Sequence, residues 1–167
     1  MKRTPLKRGT KQMKRTPLRS KTPLRASKLP SKAVKGKKRP ITTATLKKKL
    51  DAIFSIYIRT SHSVNGICSC YTCDKVLPIK KIQNGHFIPR QYLATRWHHD
   101  NCRPQCVGCN IYGNGKMLDF QDNLIKEIGL RAVDKMKTSR HESWKLDRHW
   151  YEEKIAFYNQ EVDNLEK

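Results

Sequence analysis

Four cysteines in two closely spaced pairs are the most chemically specific feature of this sequence. The pairs are Cys70/Cys73 and Cys106/Cys109, each with two residues between the cysteines. Two such pairs separated by a few tens of residues are typical of a tetrahedral zinc site with four thiolate ligands. Four thiolates fill the zinc shell and leave no open position for catalysis. We therefore predict one structural zinc ion bound by these four residues.

The other two cysteines are Cys68 and Cys102. Cys68 could compete with Cys70 for the metal, but only Cys70 and Cys73 are separated by two residues, the spacing of a zinc knuckle. Cys102 is expected to be a small buried hydrophobic residue rather than a ligand.

Three polar residues near the cysteine pairs could carry chemistry. His86 lies between the pairs, Asn101 shortly before the second pair, and Asn110 directly after it. A neutral imidazole can take a proton from water at neutral pH. Asn101 could orient that ring through its amide, and the Asn110 oxygen could bind a hydrated Mg²⁺, which prefers hard ligands. A lone histidine is more often structural, so the two asparagines are what favour a metal-dependent nuclease.

The charge of the chain indicates a polyanionic partner. Its 167 residues carry a formal net charge of +22, far more than solubility requires. Residues 1–50 contain 19 of the 36 lysines and arginines and no acid, and the remaining 17 basic residues nearly balance the 14 acids. The sequence thus predicts one nearly neutral domain that carries a polycationic arm.

The arm is repetitive and poor in apolar residues. It contains Arg3-Thr4-Pro5-Leu6 and two related tetrapeptides that begin at Arg15 and Lys21. The prolines favour extended backbone, and there is little apolar mass to bury. We predict that residues 1–42 form a disordered basic tail along nucleic-acid phosphates, with a solubilising or targeting tail as the alternative. Residues 43–167 should form the folded domain.

Membrane insertion and export are not expected. No apolar run approaches the roughly 20 residues of a membrane span, and no signal-peptide core occurs in the first 30 residues. Without an export signal, the cysteines are expected to be reduced and metal-bound rather than paired in disulfides. The expected compartment is the cytoplasm, or the nucleus if the source has one.

Helices are predicted on both sides of the cysteine region, and together with the two strands predicted within that region they make the domain α+β. The first should cover about residues 44–61 and pack over the zinc region. Later ones should end at Gly129, include Val133 and Met136, and cover about 148–165 with Asp147 as N-cap. The apolar face of the last helix could form core or a dimer interface. Segments 76–79 and 84–88 are predicted to pair as a hairpin, followed by an irregular segment.

These motifs resemble the HNH, or ββα-metal, nucleases and, within them, the NinG/Rap family of lambdoid phages. The resemblance covers roughly residues 45–165. The matching segments are Cys70-Tyr71-Thr72-Cys73, Gly85-His86-Phe87, Arg96-Trp97-His98-His99-Asp100-Asn101, Gln105-Cys106-Val107-Gly108-Cys109-Asn110 and Gly113-Asn114. It implies an α+β fold with a small zinc-stapled ββα-metal core, flanking helices and the basic tail. It also implies a structure-specific endonuclease that cuts branched DNA, including Holliday junctions, in the cytoplasm of the phage's host.

The resemblance further implies roles for particular residues. His86 would activate water, Asn101 would orient His86, and Asn110 would bind a catalytic Mg²⁺ or Mn²⁺. The candidates for phosphate contacts are Arg90, Arg96, Arg103 and Lys116. Many HNH enzymes have a metal-binding Asp directly before the general base, whereas this sequence has Gly85. The candidates for the missing ligand are Asn84, His98, His99, Asp100 and water.

The partner is expected to be branched DNA, bound by a homodimer. Resolution of a four-way junction requires two cuts, which two active sites related by a two-fold axis would supply. The apolar face of the last helix is the expected interface. Two alternatives remain: a non-enzymatic zinc-ribbon protein that binds nucleic acid, and an HNH nuclease of another specificity, such as a nicking or homing enzyme.

Overall fold

A computed structural model of the protein describes residues 40–167. The predicted basic tail lies outside the described residues, apart from its last three. The described chain combines helices with two small antiparallel sheets, which confirms the α+β class. Within this part of the chain, no helix is both long enough and apolar enough to cross a membrane.

Five α-helices and five strands form the domain. The helices are α1 (Thr43–Ser61), α2 (Leu93–Arg96), α3 (Met117–Ile128), α4 (Leu130–Ser139) and α5 (Arg148–Leu165). The strands are β1 (Ser63–Val64), β2 (Ile67–Ser69), β3 (Val76–Pro78), β4 (Ile82–His86) and β5 (Cys102–Cys106). Short helical turns connect them at Ile79–Lys81, His99–Asn101, Gly108–Tyr112 and Asn114–Lys116.

Helix α1 matches the predicted segment and provides half of the largest core. Thr42 caps it, because the Thr42 hydroxyl oxygen accepts a hydrogen bond from the Thr45 N–H. Its buried stripe packs mainly against α5, and also contacts β4 and β5. The stripe consists of Leu46, Leu50, Phe54 and Ile58. The predicted helix is therefore confirmed, but its main partner is α5 rather than the cysteine region.

Helix α5 also has the predicted bounds, with Asp147 as its N-cap. The side chains of Tyr151, Tyr158 and Val162 are buried, and the two tyrosines belong to the same core as the α1 stripe. This face is therefore core, and the prediction that it forms a dimer interface is wrong. An apolar stripe looks the same in sequence whether it covers its own domain or a second chain.

The predicted hairpin of residues 76–79 with 84–88 is also wrong. Strand β3 pairs with β2, whereas β4 pairs with β5. The turn Ile79–Lys81 separates the two predicted strands and sends them into different sheets. The pairing of β4 with β5 places Ile82 opposite Cys106 at one end and His86 opposite Cys102 at the other.

A second core lies under α3 and α4. Phe87 and Ile88, which follow β4, pack against buried residues of both helices. Helix α3 ends at Gly129 as predicted, and Gly129 has a φ of 85°, a conformation that glycine adopts without steric cost. The helices α3 and α4 thereby hold the segment that follows His86.

Candidate functional site

The four paired cysteines come together in one cluster. Cys70 and Cys73 lie between β2 and β3, Cys106 ends β5, and Cys109 lies in the turn that follows. Their sulfur atoms all lie within 4.8 Å of one another, and the Cys73 and Cys106 sulfurs are 3.8 Å apart. Zinc–sulfur bonds of about 2.3 Å in a tetrahedron place sulfurs about 3.8 Å apart. The predicted four-cysteine cluster is therefore confirmed, with dimensions that suit zinc.

The chemistry of the cluster also suits a dication. Burial raises the pKa of Cys70, but hydrogen bonds from the Cys106 N–H and from Thr72 outweigh it and lower that pKa to about 6. A backbone hydrogen bond at Lys75 lowers the pKa of Cys73, yet burial and the other thiols raise it to about 12. Several thiolates this close together would repel one another. A cation is needed for all four sulfurs to ionise together.

Both unpaired cysteines lie outside the cluster, as predicted. Cys68 and Cys102 are buried, and Cys102 contributes to the core between α1 and α5. Burial raises the pKa of both thiols, so each stays protonated and apolar at neutral pH.

A cavity of about 710 Å³ lies beside β4 and contains two of the three predicted catalytic residues. His86 and Asn110 line it together with Asn84, Arg59 and Arg90. Asn84 and His86 lie on the same face of β4 because side chains alternate along a strand. The cavity thus brings together an imidazole, amide oxygens and two guanidinium groups.

The His86 ring has one nitrogen in a defined contact. Its Nε2 lies 3.2 Å from the Arg96 carbonyl oxygen. A carbonyl can only accept, so in the neutral ring Nε2 carries the proton and Nδ1 keeps the lone pair. Burial and the nearby guanidinium groups of Arg96 and Arg90 lower the pKa of His86, although the carbonyl contact acts to raise it. The ring is therefore neutral at pH 7, with Nδ1 as its basic atom.

The Asn101 side chain makes its hydrogen bonds to backbone groups and none to His86 among the described residues, which corrects the orienting role expected for it. Its side chain is fully buried and accepts a 2.6 Å hydrogen bond from the Ile88 N–H. It also donates to the carbonyls of Ile88 and Thr95. The amide therefore ties together the two ends of the loop between His86 and Arg96. Asn101 positions the site through the backbone, and the Arg96 carbonyl orients the ring.

Replacement of Asn101 by alanine should therefore destabilise the whole domain. It leaves one backbone N–H and two carbonyls of a buried loop without partners, so we expect a loss on the order of 3 kcal/mol. Urea unfolding of the variant measures this loss. Asn164→Ala is the matched control, because it removes an exposed asparagine of α5 and should unfold like the wild type. An alanine variant that unfolds at the same urea concentration as the wild type would show that the Asn101 hydrogen bonds do not stabilise this loop.

Two side-chain oxygens in the cavity suit a hard cation. The Asn110 amide nitrogen donates to Gln83 Oε1 at 2.7 Å, so this hydrogen bond does not use the carbonyl oxygen that a cation would bind. Asn84 Oδ1 is buried, and no hydrogen-bond partner for it lies within the described residues. A buried oxygen without a partner calls for one that the structure does not contain, such as an ordered water or an ion. Asn110 and Asn84 therefore both line the cavity with amide groups, whose oxygens are of the kind that Mg²⁺ and Mn²⁺ bind.

The other substitutes for the missing aspartate lie elsewhere. His98 lines a different cavity beside Trp97, and the His99 ring stacks on that of His62. The pairing of β4 with β5 explains why position 85 is a glycine. A Cβ on Gly85 would collide with the Gln105 side chain, which fills that space. An aspartate at position 85 cannot coexist with Gln105 in this position.

Two of the predicted phosphate contacts are structural instead. Arg103 is 1% exposed and donates to both carboxylate oxygens of Glu127 from α3. Arg96 is buried and makes a bidentate ion pair with Asp51 of α1. A buried guanidinium paired with a carboxylate is not available to DNA. Arg103 therefore holds α3 to β5, and Arg96 holds α1 to α2.

The other predicted contacts remain accessible. Arg90 is exposed and lines the cavity, and Lys116 is exposed between two lining residues, Gly115 and Met117. Sequence reasoning missed Arg59, which lies on α1, outside the segment that contains the cysteine pairs, and also lines the cavity. The only sequence signal for Arg59 is its place on α1 beside the predicted apolar stripe. That position does not indicate that its side chain lines a functional cavity.

Comparisons with known proteins give one result. The family model described as "Bacteriophage Lambda NinG protein" matches residues 2–167. No curated protein and no solved structure matches the chain.

Proposed function

The chain belongs to the family of the bacteriophage lambda NinG protein, and from that premise we propose that it is a metal-dependent endonuclease that cuts branched DNA. The shared cavity of His86, Asn110, Asn84, Arg59 and Arg90 is the observation that carries this proposal. It offers a neutral base, oxygen ligands for a hard cation and guanidinium groups for a phosphate. The ββα-metal arrangement of β4, β5 and the segment after Cys109 belongs to the same proposal.

Each group in the cavity has a distinct role in this proposal. His86 Nδ1 takes the proton from the attacking water, while the Arg96 carbonyl holds the ring by Nε2. Asn110 and Asn84 would hold a divalent ion, which would supply neutralisation of the negative charge that develops during cleavage. Arg59 and Arg90 hold the phosphate in place. The four-cysteine cluster with zinc fixes the strands that carry these residues.

The direct test is incubation of the protein with four-way, forked and linear duplex DNA, with and without Mg²⁺. We expect metal-dependent cleavage of the branched substrates and much slower cleavage of the linear duplex. Cleavage of all three at one rate would indicate an HNH nuclease of another specificity. No cleavage of any substrate with Mg²⁺ or Mn²⁺ would contradict the proposal.

A non-enzymatic zinc-ribbon protein that binds nucleic acid is the second candidate. Its support is that both central side chains already have partners inside the domain: His86 with the Arg96 carbonyl and Asn110 with Gln83. Such contacts are typical of structural polar residues. The buried Asn84 oxygen without a partner favours the enzyme.

We propose that two chains act together on a four-way junction, because both strands must be cut. The buried face of α5 is excluded as their interface. The size of the complex on junction DNA, measured by light scattering, tests whether two chains bind.

Replacement of Asn110 by alanine should weaken metal use. We expect cleavage to fall about 10- to 100-fold and to require more Mg²⁺, with partial rescue by Mn²⁺. The measurement is the cleavage rate as a function of metal concentration. Gln83→Ala is the matched control, since it removes the partner of the Asn110 nitrogen and leaves the oxygen. An unchanged Mg²⁺ dependence in Asn110→Ala would remove Asn110 from the metal site.

Deletion of residues 1–39 should weaken DNA binding and flatten its salt dependence, because this segment carries 16 of the basic residues and no acid. The deletion keeps Thr42, which caps α1. Cleavage should persist at low salt. The measurement is the affinity for junction DNA over a salt series, with a full-length chain of scrambled tail sequence as the equal-charge control. Full affinity of the truncated protein at physiological salt would leave the tail without this role.

A further inference from the structure

A second cavity adjoins the candidate active site. Its volume is about 240 Å³, and it lies between the segment after β4 and the helices α3 and α4. Pro89 and Met117 line both cavities. The two therefore form one groove, with these two residues as the ridge between its parts.

The second cavity has an apolar floor and a basic rim. Phe87 and Ile88 line its floor, and Leu118, which is 81% exposed, stands at its side. The basic side chains at its rim are Lys137 and Arg140 of the α4 segment. An exposed leucine beside two cations suits a nucleotide, whose sugar and base are apolar on one face and whose phosphate is an anion.

The charge of the whole groove has one sign. Arg59 and Arg90 line the first part, Lys137 and Arg140 line the second, and no acidic residue among residues 40–167 lines either part. This is notable because the domain outside the first 50 residues is nearly neutral. A groove with cations only along both parts focuses a field that favours a polyanion.

The present partners of the two rim cations are weak. Lys137 lies 3.6 Å from Asp134 on the surface of α4, outside the groove, and also over the Phe87 ring. Arg140 lies over the Tyr92 ring and donates to the exposed His141. Surface pairs of this kind contribute little to stability. A phosphate can therefore replace them at small cost.

We infer that the second cavity is a nucleotide subsite, in which Lys137 and Arg140 bind a phosphate of the cleaved strand on one side of the scissile phosphate. The inference rests on the proposed function. The strand crosses the ridge at Met117, with Leu118 against its sugar or base. Lys137 and Arg140 thereby supply phosphate contacts of the kind that the sequence predicted for Arg96 and Arg103, whose side chains are buried in ion pairs.

The test combines a protein variant with a change in the DNA. Full-length protein binds a four-way junction without Mg²⁺ or Mn²⁺, while single methylphosphonates remove one phosphate charge at a time at each position next to the branch point. We expect the Lys137→Ala/Arg140→Ala double variant to bind the unmodified junction about 10-fold more weakly. At least one methylphosphonate that weakens wild-type binding should have no further effect in this variant.

The control is Lys126→Ala/Arg131→Ala, which removes two exposed charges from the same two helices away from the groove. It should keep the full methylphosphonate effect. Equal weakening by both double variants, or the same methylphosphonate profile in wild type and Lys137→Ala/Arg140→Ala, would overturn the subsite. Because binding is measured without the catalytic metal, this result is independent of cleavage. A wild type that cuts no DNA overturns the proposed function, whatever the binding profile shows.

Discussion

The Cys106→Ser variant is expected to lose zinc and to unfold at room temperature. Cys106 ends β5, contacts Cys73 and accepts a hydrogen bond from the Cys109 N–H, so its loss opens the cluster from both pairs. Structural zinc contributes on the order of 10 kcal/mol to folding, about as much as the whole stability of a small domain. Elemental analysis and thermal melting of the purified variant measure both losses.

Cys102→Ala is the control on the same strand, since Cys102 is buried outside the cluster. It should keep one zinc ion per chain and melt a few degrees lower. Freshly purified wild type without zinc, or a Cys106→Ser variant that melts like wild type, would show that the cluster is not a structural metal site.

The His86→Ala variant is expected to keep its zinc, its fold and its DNA affinity while losing cleavage by about 10²- to 10⁴-fold, the usual contribution of a positioned base. The loss follows from the removal of Nδ1, because the ring makes one hydrogen bond, to the Arg96 carbonyl. The measurement is single-turnover cleavage at saturating protein. His98→Ala removes an exposed histidine outside the cavity and should cut like wild type. Equal cutting by His86→Ala and wild type would exclude His86 from the mechanism.

The pH profile gives an independent check on the same residue. Burial and the cations Arg96 and Arg90 lower the pKa of His86 below the ordinary value of a histidine. Protonation removes the base, so the cleavage rate is lost as the pH falls through this lowered pKa. Wild-type cleavage should therefore persist below pH 6.5 and fall only in more acidic buffer. A fall centred above pH 7 would contradict a buried neutral base.

Local sequence signals account for the parts of the structure that were predicted. The spacing of Cys70/Cys73 and Cys106/Cys109 identified the cluster, because the two residues between the cysteines of each pair hold their sulfurs close together. The helices α1, α3 and α5 have periodic apolar residues together with caps at Thr42, Gly129 and Asp147. Such signals depend on neighbours in the chain and need no knowledge of the fold.

Long-range partners account for the parts that were missed. Arg96 and Arg103 looked like free cations because their carboxylates, Asp51 and Glu127, lie 45 and 24 residues away. Asn101 looked like a partner of His86, but it bonds the backbone at Ile88, 13 residues away. The strand pairing failed for the same reason. Nothing local indicates that β4 must skip β3 and pair with β5, a pairing that the cluster makes possible by holding Cys106 beside Cys73.

The cysteine cluster and the candidate base lie at opposite ends of the five paired residues of β4 and β5. Cys106 faces Ile82 at one end, and His86 faces Cys102 at the other. A slip of one residue between the strands would turn His86 to the opposite face of the sheet. The same slip would move Cys106 by about 3.3 Å, which separates it from Cys70 and Cys73. Zinc binding by all four cysteines would therefore select the register in which His86 points into its cavity.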